Sequence, residues 1–167
     1  MEQTMIRTVT KPDATSIANI YNHYIENTTI TFEETCITPA DISERIQKVI
    51  NAQLPWLVIE QHGVLLGYTY ATPWKERSAY RFSVEVSVYL SPQAQGKGFG
   101  SKLYHALFAE LRKLPIHAVL AGISLPSPAS IALHEKLGMS QVAHFPQIGR
   151  KFDQWIDTAY WQIIFNH

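Results

Sequence analysis

The sequence has little of what marks several large classes of protein. It contains one cysteine, Cys36, so an internal disulfide is impossible. Lysine and arginine number 14, aspartate and glutamate also number 14, and the formal net charge is zero, with no basic run. A chain without a basic patch gains little from the counterion release that drives binding to nucleic acid. We therefore expect no nucleic-acid partner.

Long apolar runs, a leader and metal-binding patterns are also missing. No stretch approaches the ~20 apolar residues that a helix needs to cross a bilayer, and the first residues, MEQTMIRTVTKPD, lack the basic-then-apolar layout of a signal peptide. We therefore expect a cytoplasmic protein without a membrane partner. The seven histidines form no HExxH pattern and no Cys/His zinc spacing, so we expect no metal.

What the sequence does contain is typical of one globular unit with interleaved strands and helices. Its 167 residues are 46% hydrophobic and 17% charged, without repeats or a linker-like stretch, which predicts a single domain over 1–167. The periodicity predicts a mixed α/β fold with a partly parallel sheet. The predicted strands are 5–9, 56–60, 64–72, 83–90, 117–124, 140–145 and 155–165, and the predicted helices are 13–27, 38–50, 98–113 and 126–138.

The turn at 95–100 is distinctive because it joins the strand pattern of 83–90 directly to the helical pattern of 98–113. A helix that opens there presents unpaired N–H groups, which suit a phosphate. The glycines at 96, 98 and 100 allow close approach of the main chain. The alternative is an ordinary glycine-rich connection without a ligand.

Two familiar phosphate-binding patterns fail at this turn on spacing alone. The Walker A pattern requires a glycine where Ser91 stands and a hydroxyl where Gly98 stands. The dinucleotide fingerprint requires a third glycine where Ser101 stands and an acidic residue near the end of the next strand, where 117–124 has none. Neither pattern explains the turn.

The strand before the turn carries a carboxylate away from its apolar face. Alternation places Val84, Val86, Val88 and Leu90 on one face, and Glu85, Ser87 and Tyr89 on the other. The strand rises about 17 Å from Glu85 to Leu90 at ~3.3 Å per residue. A ligand with its phosphates in the turn and its reactive end near Glu85 must be long and linear. Coenzyme A has that shape.

The motif QGKGFG at 95–100 resembles the Q/R-x-x-G-x-G/A signature with which the GNAT superfamily of N-acetyltransferases binds the acyl-CoA pyrophosphate. Further segments resemble the phosphinothricin and methionine sulfoximine acetyltransferase subgroup in order and spacing, and together they cover essentially the whole chain. These segments are TFEE, PWLVIE, YATPWKERSAYRFSVEVSVYLSP, GSKLYHAL, SLPSPASIALHEKLGM and YWQIIF.

The resemblance implies a GNAT fold, with about seven strands and four helices, and a set of residues that bind acetyl-CoA. The chain departs from the pattern at Ser127, where the family has asparagine, and at Met139, where it has phenylalanine. Losing the asparagine amide removes one expected pantetheine contact, part of which Ser127 could replace. The implied coenzyme-binding residues are Ser87, Val88, Tyr89, Gln95, Gly96, Lys97, Gly98, Phe99, Gly100, Ser127 and Lys136.

The chemistry requires a base, because an α-amino group with a pKa near 8 is mostly protonated at neutral pH. Glu85 lies where the family places its general base, and its alternative is a solvated strand carboxylate. Backbone N–H groups of 86–88 could stabilise the oxyanion if the strand splays or bulges as in family members. His134 lies where many members carry a tyrosine acid, so the resemblance implies a proton donor or second base; its alternative is a surface histidine.

The expected substrate is a small zwitterionic amino acid, because the segment TPWKERSAYRF mixes cations that can clamp a carboxylate or phosphinate with aromatic rings. A solvated basic loop is the alternative. Phe32 matches the family's lid over the substrate, or packs in the core. The predicted substrate-binding residues are Phe32, Trp74, Lys75, Arg77, Tyr80, Arg81, Val84, Glu85 and Val86.

The resulting hypothesis is acetylation of the α-amine of amino acids like phosphinothricin or methionine sulfoximine, by direct transfer from acetyl-CoA in a ternary complex. Cys36 has no activating base near it in sequence, which argues against a covalent acyl carrier. Two alternatives stay open: a GNAT enzyme for another amine, such as a protein N-terminus, and a non-catalytic acyl-CoA sensor. The resemblance also implies a homodimer.

Overall fold

A computed structural model describes residues 3–166, which form seven strands and four α-helices. The strands are β1 Thr4–Thr8, β2 Trp56–Gln61, β3 Val64–Pro73, β4 Ser83–Leu90, β5 Ala118–Ser124, β6 Ser140–Lys151 and β7 Gln154–Ile164. The helices are α1 Ala14–Asn27, α2 Pro39–Asn51, α3 Phe99–Leu111 and α4 Pro128–Lys136. The predicted fold class and element order are confirmed.

All seven strands form one mixed sheet in the order β1-β2-β3-β4-β5-β7-β6. Every pair of neighbours is antiparallel except β4 and β5, which are parallel and are connected through α3. This single parallel pair lies in the middle of the sheet. The turn at 95–100 therefore leads from a central strand to the helix that crosses over to its parallel neighbour.

Helices cover both faces of the sheet and divide the core into two layers. On one face, apolar side chains of α1 and α2 pack against alternate residues of β2 and β3, including Trp56, Val58 and Tyr68. On the other face, α3 inserts Leu103, Leu107 and Leu111, each 0% exposed, as its helical spacing predicts. The residues of β4 thus face α1 and α2 or α3 in alternation.

Local signals in the sequence account for where α2 begins. Asp41 donates its backbone N–H to the Thr38 hydroxyl at 3.1 Å, and the Asp41 carboxylate accepts the backbone N–H of Thr38 at 2.8 Å. Pro39 occupies the first helical position, where a missing N–H costs nothing. The predicted capping box is present, so the start of α2 is determined within four residues.

The prediction for β6 was too short. We expected a strand over 140–145, whereas β6 continues to Lys151, past an irregularity in its register with β7 between Phe145 and Gly149. Pro146 cannot donate to a ladder, but β6 is an edge strand, where one side needs no partner. Within residues 3–166, none of the helices has the length and apolar character needed to span a membrane.

Candidate active site

The central parallel pair separates halfway along β4. Pairing between β4 and β5 covers only Ser83–Ala118, Val84–Val119 and Glu85–Leu120, although both strands continue. A cavity of about 560 Å³ lies along the gap between the diverging strands. Among its lining residues, Val86, Ser87 and Val88 come from β4 and Gly122, Ile123 and Ser124 from β5. The expected splay is present, and Glu85 is the last residue of β4 that pairs with β5.

The glycine turn forms the far end of this cavity. Gly96 and Gly98 line it, and their φ angles of 73° and 82° lie in the left-handed region that favours glycine. Lys102 donates the first helical hydrogen bond of α3, to the Gly98 carbonyl at 3.2 Å. The N–H groups of residues 99–101 precede that bond, and no described side chain caps the helix. This end of the cavity suits an anion.

Most of the predicted coenzyme-binding residues line the one cavity. These are Ser87, Val88, Tyr89, Gln95, Gly96, Gly98, Gly100, Ser127 and Lys136. The Gln95 amide donates to the Tyr24 hydroxyl at 3.0 Å, a hydrogen bond that connects the turn to α1. Ser127 is the first residue before α4 and its hydroxyl makes no capping bond.

Two residues of the predicted set lie elsewhere. Phe99 is buried against Ile59, Ala94 and Leu103, so its side chain belongs to the core and only its backbone faces the turn. Lys97 is exposed and does not line the cavity. At position 99, only the backbone can contribute to the glycine turn. The Phe99 ring packs the start of α3 against the sheet.

Glu85 is half-buried on the face of β4 that looks toward α1 and α2. Burial raises the pKa of the Glu85 carboxyl above its usual range, while the nearby Lys75 ammonium opposes that rise. Thr72 lies directly across from Glu85 on β3. A carboxylate with a raised pKa at the point where two strands separate is suited to accept a proton near neutral pH.

His134 is buried rather than on the surface, with only 4% of the residue exposed. Its Nδ1 lies 2.6 Å from the Ser130 carbonyl, which can only accept, so Nδ1 carries the proton. Nε2 then accepts from the Tyr104 hydroxyl at 3.0 Å. Burial lowers the pKa of His134, which keeps the ring neutral. His134 and Tyr104 both line the cavity as a hydrogen-bonded pair.

The predicted substrate loop begins beside Glu85. The Trp74 ring makes an edge contact with Tyr160, their centroids 5.4 Å apart, and Tyr160 in turn contacts Phe145 at 6.0 Å. The Lys75 ammonium lies 5.2 Å from the centroid of the Trp74 ring. The Tyr160 ring and the Lys75 ammonium are therefore close enough to Glu85 for electrostatic interaction, and Trp74 contacts both of them.

The other predicted substrate residues have different surroundings. Arg77, Tyr80 and Arg81 are exposed, and the Arg81 guanidinium lies on the Phe82 ring and donates to the Ser78 carbonyl. The side chains of Val84 and Val86 are buried on the α3 side, opposite Glu85, so Val84 reaches the substrate face only through its backbone. Val86 lines the coenzyme cavity instead.

Phe32 lies in the segment between α1 and α2 and is 38% exposed. Its ring is therefore partly exposed and is not among the buried residues of the core. Ile30, two residues earlier, lines the coenzyme cavity, which places this segment at the mouth of the site.

The sequence reasoning missed Tyr104 and Tyr160. Tyr104 is on the buried stripe of α3 and reads as a core residue, while Tyr160 was assigned to a closing strand. The segments GSKLYHAL and YWQIIF contain them, so the resemblance itself was a signal that could have found them. Within the described part of the chain, no group of three or more His, Cys, Asp or Glu side chains could hold a metal ion.

Comparisons with known proteins agree with this geometry. Residues 6–160 match the family described as acetyltransferase (GNAT) domain. The chain is 38% identical over 157 residues to phosphinothricin N-acetyltransferase of Streptomyces viridochromogenes, covering 94% of this chain and 85% of the relative. It is 37% identical over 161 residues to L-methionine sulfoximine/L-methionine sulfone acetyltransferase of Salmonella typhimurium, covering 95% and 92%.

A solved structure is similar over nearly the same length. The GNAT superfamily phosphinothricin acetyltransferase of Sinorhizobium meliloti, in complex with acetyl-CoA, superimposes with a TM-score of 0.94 and 35% identity, covering 98% of this chain and 89% of the other. The resemblance found in the motifs is confirmed. These matches show that the chain belongs to the GNAT family of N-acetyltransferases.

Proposed function

We propose that this protein transfers acetyl from acetyl-CoA to the α-amine of small amino acids such as phosphinothricin, methionine sulfoximine and methionine sulfone, directly in a ternary complex. One observation carries the proposal: the half-buried Glu85 lies where β4 and β5 separate, at the edge of a cavity whose far end is the glycine turn. The names of the relatives support the same class of substrate.

The cavity fits acetyl-CoA in length and in charge. Its two ends, the N-terminus of α3 and the segment after Glu85, are separated by a strand that rises about 17 Å. The helix N-terminus and the N–H groups of residues 99–101 would hold the pyrophosphate. Acetyl-CoA supplies the activated acetyl group, and the gap between the diverging strands would bring its thioester beside Glu85.

Glu85 acts as the base in this proposal. The incoming ammonium must lose a proton before its nitrogen can attack, and a carboxylate whose pKa is raised by burial accepts that proton more readily than an exposed glutamate. The edge of β4 that faces β5 is unpaired from Val86 onward, so backbone N–H groups on that edge are available to the oxyanion.

Tyr104 and His134 would act on the leaving sulfur. Because the neutral His134 ring is fixed by Ser130, it holds the Tyr104 hydroxyl in place on the cavity wall. The hydroxyl carries a single proton, which it donates to His134 Nε2 in this structure, and it would turn from Nε2 to the departing thiolate in order to donate to the sulfur. Overall, the ammonium loses two protons; one ends on the thiol of coenzyme A and the other passes to solvent.

The substrate would lie on the α1 and α2 side of the sheet. Lys75 is close enough to Glu85 to act on its pKa and would pair with the substrate carboxylate. The aromatic rings of Trp74 and Tyr160 would pack against the aliphatic part of the substrate.

We also propose the homodimer that the resemblance implies. Several large apolar side chains of β6, of β7 and of the turn between them are exposed, which is expected of a surface that a second copy covers. They are Val142, Phe145, Ile148, Phe152, Trp155 and Ile164. Sedimentation analysis of the purified protein tests this point.

The test of the function is thiol release from acetyl-CoA with a panel of amines: L-methionine sulfoximine, L-methionine sulfone, L-phosphinothricin, a polyamine and a short peptide. We expect turnover with the first three. Turnover with the peptide or polyamine alone would assign another amine to the enzyme. Tight binding of acetyl-CoA without any thiol release would favour a sensor.

A further inference from the structure

The segment over residues 28–38, which we name the α1–α2 loop, contains neither helix nor strand. Its inner side is anchored to both helices. The Tyr21 hydroxyl hydrogen-bonds with the Thr31 hydroxyl at 2.8 Å, and Arg45 pairs with Glu33 at 2.6 Å. These contacts hold the backbone of the loop. They do not determine where the Phe32 ring points.

The hairpin of β6 and β7 contacts that ring at one glycine. A Cβ placed on Gly149 would lie 2.4, 2.6 and 2.9 Å from three atoms of the Phe32 ring, closer than any real contact. The φ angle of Gly149 is not in the left-handed region, so its backbone would accept alanine. Glycine at 149 is therefore required to leave room for the Phe32 ring, and not to allow an unusual backbone conformation.

A second contact from the same strand reaches the neighbouring residue of the loop. The Lys151 ammonium donates to the Thr31 carbonyl at 2.9 Å, and Lys151 is only 1% exposed. Residues two apart on a strand share a face, so Gly149 and Lys151 approach consecutive loop residues together. The Lys151 ammonium also lies 5.1 Å from the centroid of the Phe152 ring, and burial lowers its pKa although Glu34 and Glu33 oppose this. Burying a lysine is costly, which favours a specific role for these contacts.

We propose that Gly149 and Lys151 are positioning residues that orient Phe32 over the amine site, so that the β6–β7 hairpin sets the KM for the amino-acid substrate. This inference rests on the proposed function and on the family resemblance, which implies that Phe32 is a lid over the substrate. Ile30 lines the coenzyme cavity, so the loop spans from the coenzyme to the hairpin. The two contacts connect the distant hairpin to the site without touching either reactant.

The first experiment is Gly149→Ala, with Gln154→Ala as the control on the same hairpin, because Gln154 is an exposed polar residue of β7. We expect Gly149→Ala to raise the KM for the preferred amino acid about tenfold, equivalent to ~1.4 kcal/mol, while kcat and the KM for acetyl-CoA change by less than about twofold. Gln154→Ala should leave all three constants within that margin.

A double-mutant cycle separates positioning from general damage. In a Phe32→Ala background, Gly149→Ala has no ring to displace, so we expect it to change the KM no further. Lys151→Met should raise the KM as Gly149→Ala does, and Lys151→Arg, which keeps a donor, should restore part of the loss. Thermal unfolding of each variant shows whether it folds.

Hydrogen exchange of the backbone amides at 30–34 gives a readout that needs no substrate. We expect faster exchange in Gly149→Ala than in wild type. An unchanged KM and unchanged exchange in Gly149→Ala would overturn the inference, as would an equal effect of Gly149→Ala with and without Phe32. A wild-type protein inactive on the whole panel would instead refute the proposed function, and hydrogen exchange would still decide the positioning role.

Discussion

Replacing Glu85 with glutamine keeps the shape of the side chain and removes its capacity to accept a proton. A positioned general base typically contributes 10²- to 10⁴-fold, and we expect kcat with the preferred amino acid to fall about 300-fold at pH 7, or ~3.4 kcal/mol in activation free energy. The KM for acetyl-CoA should change by less than about threefold, because Glu85 does not line the coenzyme cavity.

The pH dependence of the same variant makes the test sharper. Wild-type kcat/KM should fall on the acid side as the Glu85 carboxylate is protonated, at a pH above the usual range of glutamate, because burial raises its pKa. Glu85→Gln should lack that acidic limb. An amine with a pKa near 8 loses its proton without a base at higher pH. The ratio of wild-type kcat/KM to that of Glu85→Gln should therefore fall about tenfold from pH 7 to 9.

Two further variants serve as controls for that measurement. Lys75→Met removes the cation that opposes the rise in the Glu85 pKa, so its acidic limb should move to higher pH. Glu76→Gln changes an exposed carboxylate next to Lys75 and should leave the profile unchanged. The assay is thiol release at saturating acetyl-CoA over pH 5–9.5. A Glu85→Gln enzyme that keeps more than about a third of wild-type kcat with the wild-type profile would refute Glu85 as the base.

Three other outcomes are expected. Tyr104→Phe should lower kcat about 10- to 100-fold with little change in the KM for acetyl-CoA, because only the hydroxyl on the cavity wall is lost; an unaltered kcat would exclude a role for it. Gly98→Ala should weaken coenzyme A about tenfold in calorimetry, since φ of 82° is strained for alanine, whereas Gly63→Ala, at φ of 76° in a remote turn, should lower stability and leave that affinity intact. Asp13→Asn should cost about 2 kcal/mol in urea unfolding at pH 7, because Arg7 lowers the pKa of Asp13 in the folded state. The stability from this ion pair is present above the unfolded pKa of about 3.9 and is lost as the pH falls through the lower folded pKa, so the difference from wild type should shrink as the solution is acidified below that range.

Much of the fold could be predicted because its signals are local. The start of α2 needs only Thr38, Pro39 and Asp41, and the buried stripe of α3 follows from leucines four residues apart. The relation between Glu85 and the turn at 95–100 is equally local, since both belong to one strand–turn–helix unit. Within such a unit, backbone geometry follows from periodicity and glycine placement.

The length of β6 shows where local signals mislead. The predicted strand ends at 145, just before Pro146, a residue that is unfavourable inside a sheet. The strand continues because β7 pairs with it on one side and nothing described needs pairing on the other. Whether a strand is at the edge is a property of the sheet as a whole.

The sequence by itself determined the elements, the family and the two ends of the coenzyme cavity, because each depends on residues close together in the chain. Tertiary structure decided the rest of the site. Tyr104 and His134 are 30 positions apart, and the Phe32 ring meets Gly149 across most of the chain. Contacts of this kind do not appear in the periodicity of the sequence. A buried tyrosine or a strand glycine has the same local pattern whichever residue it packs against in the folded protein. The neutral state of His134, and the point where β4 and β5 part, follow from that packing alone.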